Sequence, residues 1–128
     1  MLQVGETVYR FWKEIEAQGL EDCVTLFTAS DFERTYGPNS NKGTDHAWAS
    51  NQFIVGGSQI KGGDIHGVQP DSTNPADFRS GGQFSTDNRG RILPSHSVDE
   101  YMAELIKWFG DFSDSDLEMI LPNYSKFA

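Results

Sequence analysis

Val4, Val8, Phe11 and Ile15 recur at spacings of four, three and four, which puts them on one face of a helix that Gly19 brings to an end. Two short apolar runs follow, Val24 to Thr28 and Gln52 to Val55, and both read as strands; Gly56-Gly57 stops the second. Between them, residues 36–44 (Y-G-P-N-S-N-K-G-T) carry Gly, Pro or Asn at nearly every step and read as loop. From Gly56 to Gly90 the chain holds eight of its thirteen glycines, together with Pro70 and Pro75. That stretch predicts turns and short hairpins without a helix, and one or two more strands are placed around Gln83–Ser85 and Arg91–Leu93. Periodicity returns at Ser97, where S-V-D-E makes a capping box with Glu100. Val98, Tyr101, Met102, Leu105 and Phe109 then form one apolar face, with Gly110 placed for a left-handed C-terminal turn. Ser115-Asp-Leu-Glu118 repeats the capping pattern for a last short helix that Pro122 ends.

The order is helix, strand, loop, strand, irregular excursion over 56–93, helix, helix, which predicts an α/β fold in a single small domain covering 1–128. Two strands are too few for an independent sheet with covered faces. The sheet is therefore expected to be a piece, completed by a second copy of the chain or by another polypeptide.

Charge narrows the partners. A net charge of −9 argues against nucleic acid and against anionic membrane surfaces, since both need a basic face. From Ser97 onward seven acidic and two basic residues leave a net −5, so much of the negative charge falls on the C-terminal helices. Cys23 is the single cysteine, which rules out an intrachain disulfide and a cysteine metal knuckle; its place before an apolar run predicts a buried, inert thiol. No run approaches the ~20 apolar residues of a membrane span, and Glu6 and Arg10 interrupt the N-terminal apolar positions, unlike a signal peptide. The expected location is the cytoplasm.

The candidate chemistry lies between the two strands. Asp31 lies three positions after the first run, and Thr44-Asp45-His46-Ala47-Trp48 precedes the second. Loops beyond the carboxyl ends of strands are where open α/β sheets bind ligands. Asp oxygen and His nitrogen are both ordinary zinc donors, so Asp31 and His46 are candidate metal ligands. Asp45 is read as a carboxylate that orients the His46 ring from behind without touching the metal, or as a turn residue that binds loop amides. Arg34 is a candidate anion contact, with an exposed pair to Glu33 as its plainer reading. Trp12 and Trp48 read as packing residues, and His66 and His96 as loop histidines. Gly56-Gly57 with Lys61-Gly62-Gly63 lacks the spacing of a phosphate loop and is turn chemistry.

V-T-L-F-T-A-S-D-F-E-R-T, G-T-D-H-A-W, F-I-V-G-G-S-Q-I-K-G-G, G-R-I-L-P and the closing W-F-G and L-P-N together resemble, from about Phe11 to Phe127, the family called domain of unknown function 1501. The family is placed in the alkaline phosphatase/sulfatase superfamily, and the likeness is to its C-terminal portion. The resemblance implies a partial alkaline-phosphatase-like sheet with flanking helices and a glycine-rich excursion. It implies Asp31 as the first metal ligand and His46 as the later histidine, around a divalent ion such as zinc, manganese or calcium. Phe32 stands where many superfamily enzymes carry a metal-binding histidine, and Glu33 and Ala47 where the family commonly has glycine. The N-terminal half that would hold the nucleophile is expected to be missing. The resulting expectation is a non-catalytic, self-associating dimer with a binding role. Its rival is the C-terminal half of a metal-dependent phosphoester or sulfate-ester hydrolase, with a partner chain supplying the nucleophile.

Overall fold

The computed structural model describes residues 2–127. The chain divides into two compact units, Met1–Asp31 with Ser50–His66, and Phe32–Ala49 with Gly67–Ala128. The architecture is mixed α/β, made of helices and small antiparallel strand pairs. Among the described residues no helix is long and apolar enough to cross a membrane.

In the first unit, helix α1 spans Leu2–Ala17, as the 4-3-4 apolar spacing requires. Glu6–Arg10 and Lys13–Glu16 pair along its polar side, each at 2.6 Å. Gly19 closes the helix at φ +66°. The Gly19 N–H donates to the Glu16 carbonyl at 3.0 Å and the Leu20 N–H to the Ile15 carbonyl at 3.1 Å, the two bonds of a Schellman end. Of the apolar stripe only Ile15 is buried; Val4 stays 55% exposed and Phe11 42%.

Strands β1 (Leu26–Phe27) and β4 (Ile54–Val55) then pair antiparallel, Leu26 facing Val55 and Phe27 facing Ile54. Each ladder partner lies inside one of the two apolar runs, but the paired segments are shorter than those runs. The turn after β4 needs glycine for closeness: a Cβ on Gly57 would lie 2.2 Å from the Glu21 carbonyl oxygen. Next to it, the Asp22 carboxylate accepts from the Ser58 N–H at 2.9 Å and its hydroxyl at 2.7 Å. Those bonds, the hydroxyl's first, hold the Asp22 carboxyl below its ordinary pKa. Cys23, expected inside, is exposed, because it lies in the turn ahead of β1 and outside the ladder.

In the second unit, β2 (Glu33–Arg34) and β3 (His46–Ala47) form a second antiparallel pair, with Glu33 facing Ala47 and Arg34 facing His46. Arg34 and His46 therefore sit on strands of a hairpin, where the sequence suggested loop. In the glycine-rich segment Ser85 bridges Ile92, flanked by Leu93 N–H to Phe84 O at 2.7 Å, so the two proposed strand sites do meet. The same segment also carries a 3₁₀ helix, Pro75–Phe78, where no helix was expected. Pro75 at its start presets φ and has no N–H to satisfy, and the Asn74 side chain accepts from the Ala76 N–H.

Helix α2 covers Val98–Phe109 with the capping box of Ser97 and Glu100 formed in both directions. The expected apolar face is only partly buried. Ala103 and Leu105 are inside, while Val98 and Phe109, at the two ends, remain 60% and 80% exposed. Gly110 is extended, at φ −166°, and not left-handed. It is glycine for space: a Cβ there would meet the Phe112 ring at 2.9 Å. Helix α3 (Asp114–Ile120) starts one cap earlier than expected, on Ser113 with Asp116 in place of Ser115 with Glu118. The earlier start puts Phe112 just before the cap and the fully buried Leu117 at the fourth helical position, the spacing of a hydrophobic staple. Helix α4 (Tyr124–Phe127) packs on α2 and α3, and the Asn123 N–H donates to the Asp99 carboxylate at 2.9 Å.

Candidate functional site

The β2–β3 hairpin gathers three side chains on one face. Phe32 and Arg34 are two positions apart and Arg34 faces His46, the alternation that brings side chains together across a ladder. The His46 ring meets Phe32 edge to face, with centroids 4.8 Å apart at 79°. The Arg34 guanidinium lies 5.1 Å from the centroid of the same Phe32 ring. Glu33 spends its carboxylate on the Arg34 backbone N–H at 2.9 Å. Arg34 and His46 are both exposed, so a charged fork and an imidazole are presented to solvent on an aromatic base.

Asp45 serves a different purpose. Its carboxylate accepts from the Asn39 amide at 2.9 Å and pairs with the Arg89 guanidinium. The Asn39 bond first, then the Arg89 and Arg91 charges, hold its carboxyl below the ordinary value against a partial burial that would raise it. Thr35 stands behind it, 3% exposed. The Thr35 N–H donates to the Asp45 carbonyl at 2.9 Å, its hydroxyl donates to the Gly37 carbonyl at 2.9 Å, and the same hydroxyl accepts from the Asp45 N–H at 3.1 Å. Arg91 pairs with Asp87 and reaches the His46 carbonyl through Nε at 3.2 Å. Asp87 in turn accepts from the Arg89 and Arg91 N–H groups, and these, the Arg89 bond foremost, lower its pKa.

Asn39, Asp87, Arg89 and Arg91 thus hold the hairpin, and none was singled out from sequence. The signal available was D-N-R-G-R at 87–91, turn chemistry with two arginines two positions apart. Trp48, read as packing, is exposed because it leaves the ladder just past its last pair. His66 and His96 are exposed, and His96 Nδ1 lies 3.2 Å from the Ser95 hydroxyl.

Asp31 is exposed and belongs to the first unit, whereas Arg34, Asp45 and His46 belong to the second. Among the described residues no three of His, Cys, Asp or Glu gather as a metal-ion site. What the hairpin offers chemically is one imidazole and one guanidinium, suited to contact with an anion or a carboxylate. No curated protein and no solved structure matches the chain. Residues 1–79, which include the whole hairpin, match the family model described as "Protein of unknown function (DUF1501)", and on that span, more than half of the sequence, the chain belongs to this family.

Proposed function

We propose that this chain is a non-catalytic module that works by associating with a second copy of itself, with the Arg34–His46 hairpin as a binding surface. The apolar stripe of α1 carries the proposal. Val4 and Phe11 are exposed while Ile15 alone of that stripe is buried, and an apolar helix face is stable only when covered. Beside it in the same unit, β1 and β4 make a two-stranded sheet, which is marginal alone and whose edges are templates for pairing. A two-fold pair of identical chains covers both features most simply. In the same proposal the chain corresponds to the C-terminal part of an alkaline phosphatase/sulfatase-like domain. Asp31 and His46 then each descend from a metal-ligand position of that domain, Asp45 precedes His46 in the chain and Arg34 is an anion contact, as the ordered motifs of the resemblance suggest.

Light scattering on the purified chain, with and without zinc or manganese, tests this. A dimer mass that is independent of metal is expected, and Phe11→Glu should shift it to monomer while leaving the helix content intact. A monomer that compacts only with metal would defeat the proposal and favour the split hydrolase, in which a partner chain supplies the nucleophile.

A further inference from the structure

Within the second unit an open groove of about 240 Å³ lies between the Tyr36–Gly37 segment and the glycine-rich chain. Arg79 and Arg89 line it, with the Asn88 and Ser72 side chains, and no carboxylate does among the described residues. In a chain of net charge −9 that is a local inversion. Its apolar wall is the stacked pair Tyr36 and Phe78, centroids 4.2 Å apart at 27°. The neighbouring acids are turned elsewhere. Asp45 is spent on Arg89, and Asp77 accepts from the Asp71 N–H and the Asn74 amide, each at 2.9 Å. Arg89 Nη2 is buried without a hydrogen-bond partner among the described residues. Asn88 takes the Ser80 N–H on Oδ1 at 3.2 Å, which leaves its amide hydrogens to donate.

We propose that this groove binds a small carboxylate carried on a flat aromatic body. A guanidinium fork matches the two oxygens of a carboxylate, and the exposed Tyr36 ring supplies a platform for stacking. Charge selects the monoanion. The Arg89–Asp45 pair is neutral, so Arg79 is left with one positive charge, and a dianion such as phosphate would be in excess among acidic neighbours. The volume lies below the ~300 Å³ at which drug-sized pockets begin, so the ligand is of single-ring size. The lining belongs to the second unit and α1 to the first, and the proposal does not rest on self-association.

The test is a titration of the full chain with benzoate, followed by amide shifts at Gly37, Asn88 and Arg89. Saturable shifts with a Kd on the order of millimolar are expected for so small a ligand. Arg79→Gln should weaken binding about tenfold, and Arg79→Lys, which keeps the charge and loses the fork, should recover only part of it. Tyr36→Ala should weaken benzoate but not acetate. The proposal is overturned if benzoate gives no saturable shift, if Arg79→Gln with a native-like spectrum binds it unchanged, or if inorganic phosphate binds as tightly as benzoate.

Discussion

Strands β1 and β4 set Leu26 against Val55 and Phe27 against Ile54, whereas β2 and β3 set Glu33 against Ala47 and Arg34 against His46. Both are two-residue antiparallel pairs, and each lies in a different unit. Around the apolar ladder the Thr28 hydroxyl accepts from the Phe53 N–H at 3.0 Å, and the Asp22 carboxylate holds the Ser58 turn. The polar ladder is tied by Thr35, Asp45, Asn39, Arg89 and Arg91 into one hydrogen-bonded network. A polar network brings its own partners to the hairpin, while an apolar face must find a covering surface. The hairpin has polar partners within its own unit, and the first unit is the place where a partner chain would add most.

The largest effect is expected at Thr35. Thr35→Val keeps the shape and removes the hydroxyl, which leaves the Asp45 N–H and the Gly37 carbonyl without their bonds at a nearly buried position. Each unsatisfied group costs about 1–3 kcal/mol, so a loss of roughly 2–4 kcal/mol is expected in urea unfolding. Trp48 and Trp108, in the second unit, should report it, while Trp12 in the first should not. Equal changes at all three indoles would show that the two ladders are not independent.

This network is also the part of the fold that local sequence signals do not carry. Helix α1 and the start of α2 were legible because their signals are local: 4-3-4 spacing, Gly19 in a Schellman end, Ser97 with Glu100. The hairpin was not, because Glu33-Arg34 and His46-Ala47 show no apolar alternation and are paired through Asp45 and an arginine 44 positions later in the chain. Gly110 shows a second kind of ambiguity. Glycine signals that no Cβ fits, and here the reason is the Phe112 ring and not a positive φ. Among the candidate site residues, Arg34 and His46 face each other across the ladder, while Asp45 turns to Arg89, a pairing that no local sequence signal carries.

Acid should act on the two units unequally. In the second unit Asp45, Asp71, Asp87, Glu100 and Asp116 are all held below their ordinary pKa by hydrogen bonds, from the Asn39 amide, the Thr73 hydroxyl, the Arg89 N–H, the Ser97 N–H and the Ser113 hydroxyl in turn. In the first unit only Asp22 is so held among the described residues. A lowered folded pKa means that the folded state binds fewer protons than the unfolded one. The stability so gained is complete above the unfolded carboxylate range, about pH 4, and drains away as pH falls through the lowered values. Between about pH 4 and pH 2 the indoles of Trp48 and Trp108 should therefore lose their native signals before that of Trp12. The reverse order would contradict the assignment of polar support to the second unit.

The smallest effect is expected in the apolar ladder. Phe53→Thr, at the residue just before β4, keeps β-propensity, the Thr28 N–H bond to the carbonyl of residue 53 and the bond from its N–H to the Thr28 hydroxyl, and it removes a ring that is partly exposed in the single chain. The ring is 39% exposed and the rest of it packs in its own chain, so unfolding of the monomer, followed at Trp12, should change by about 1 kcal/mol or less. The same ring counts for more if a second copy covers it, and then the dimer should dissociate at lower dilution than the unaltered chain while the monomer stays as stable. Both readouts are needed. Loss of monomer stability alone would mean that the apolar ladder packs within its own unit, and the contrast between the two ladders would then be one of composition and not of partnership.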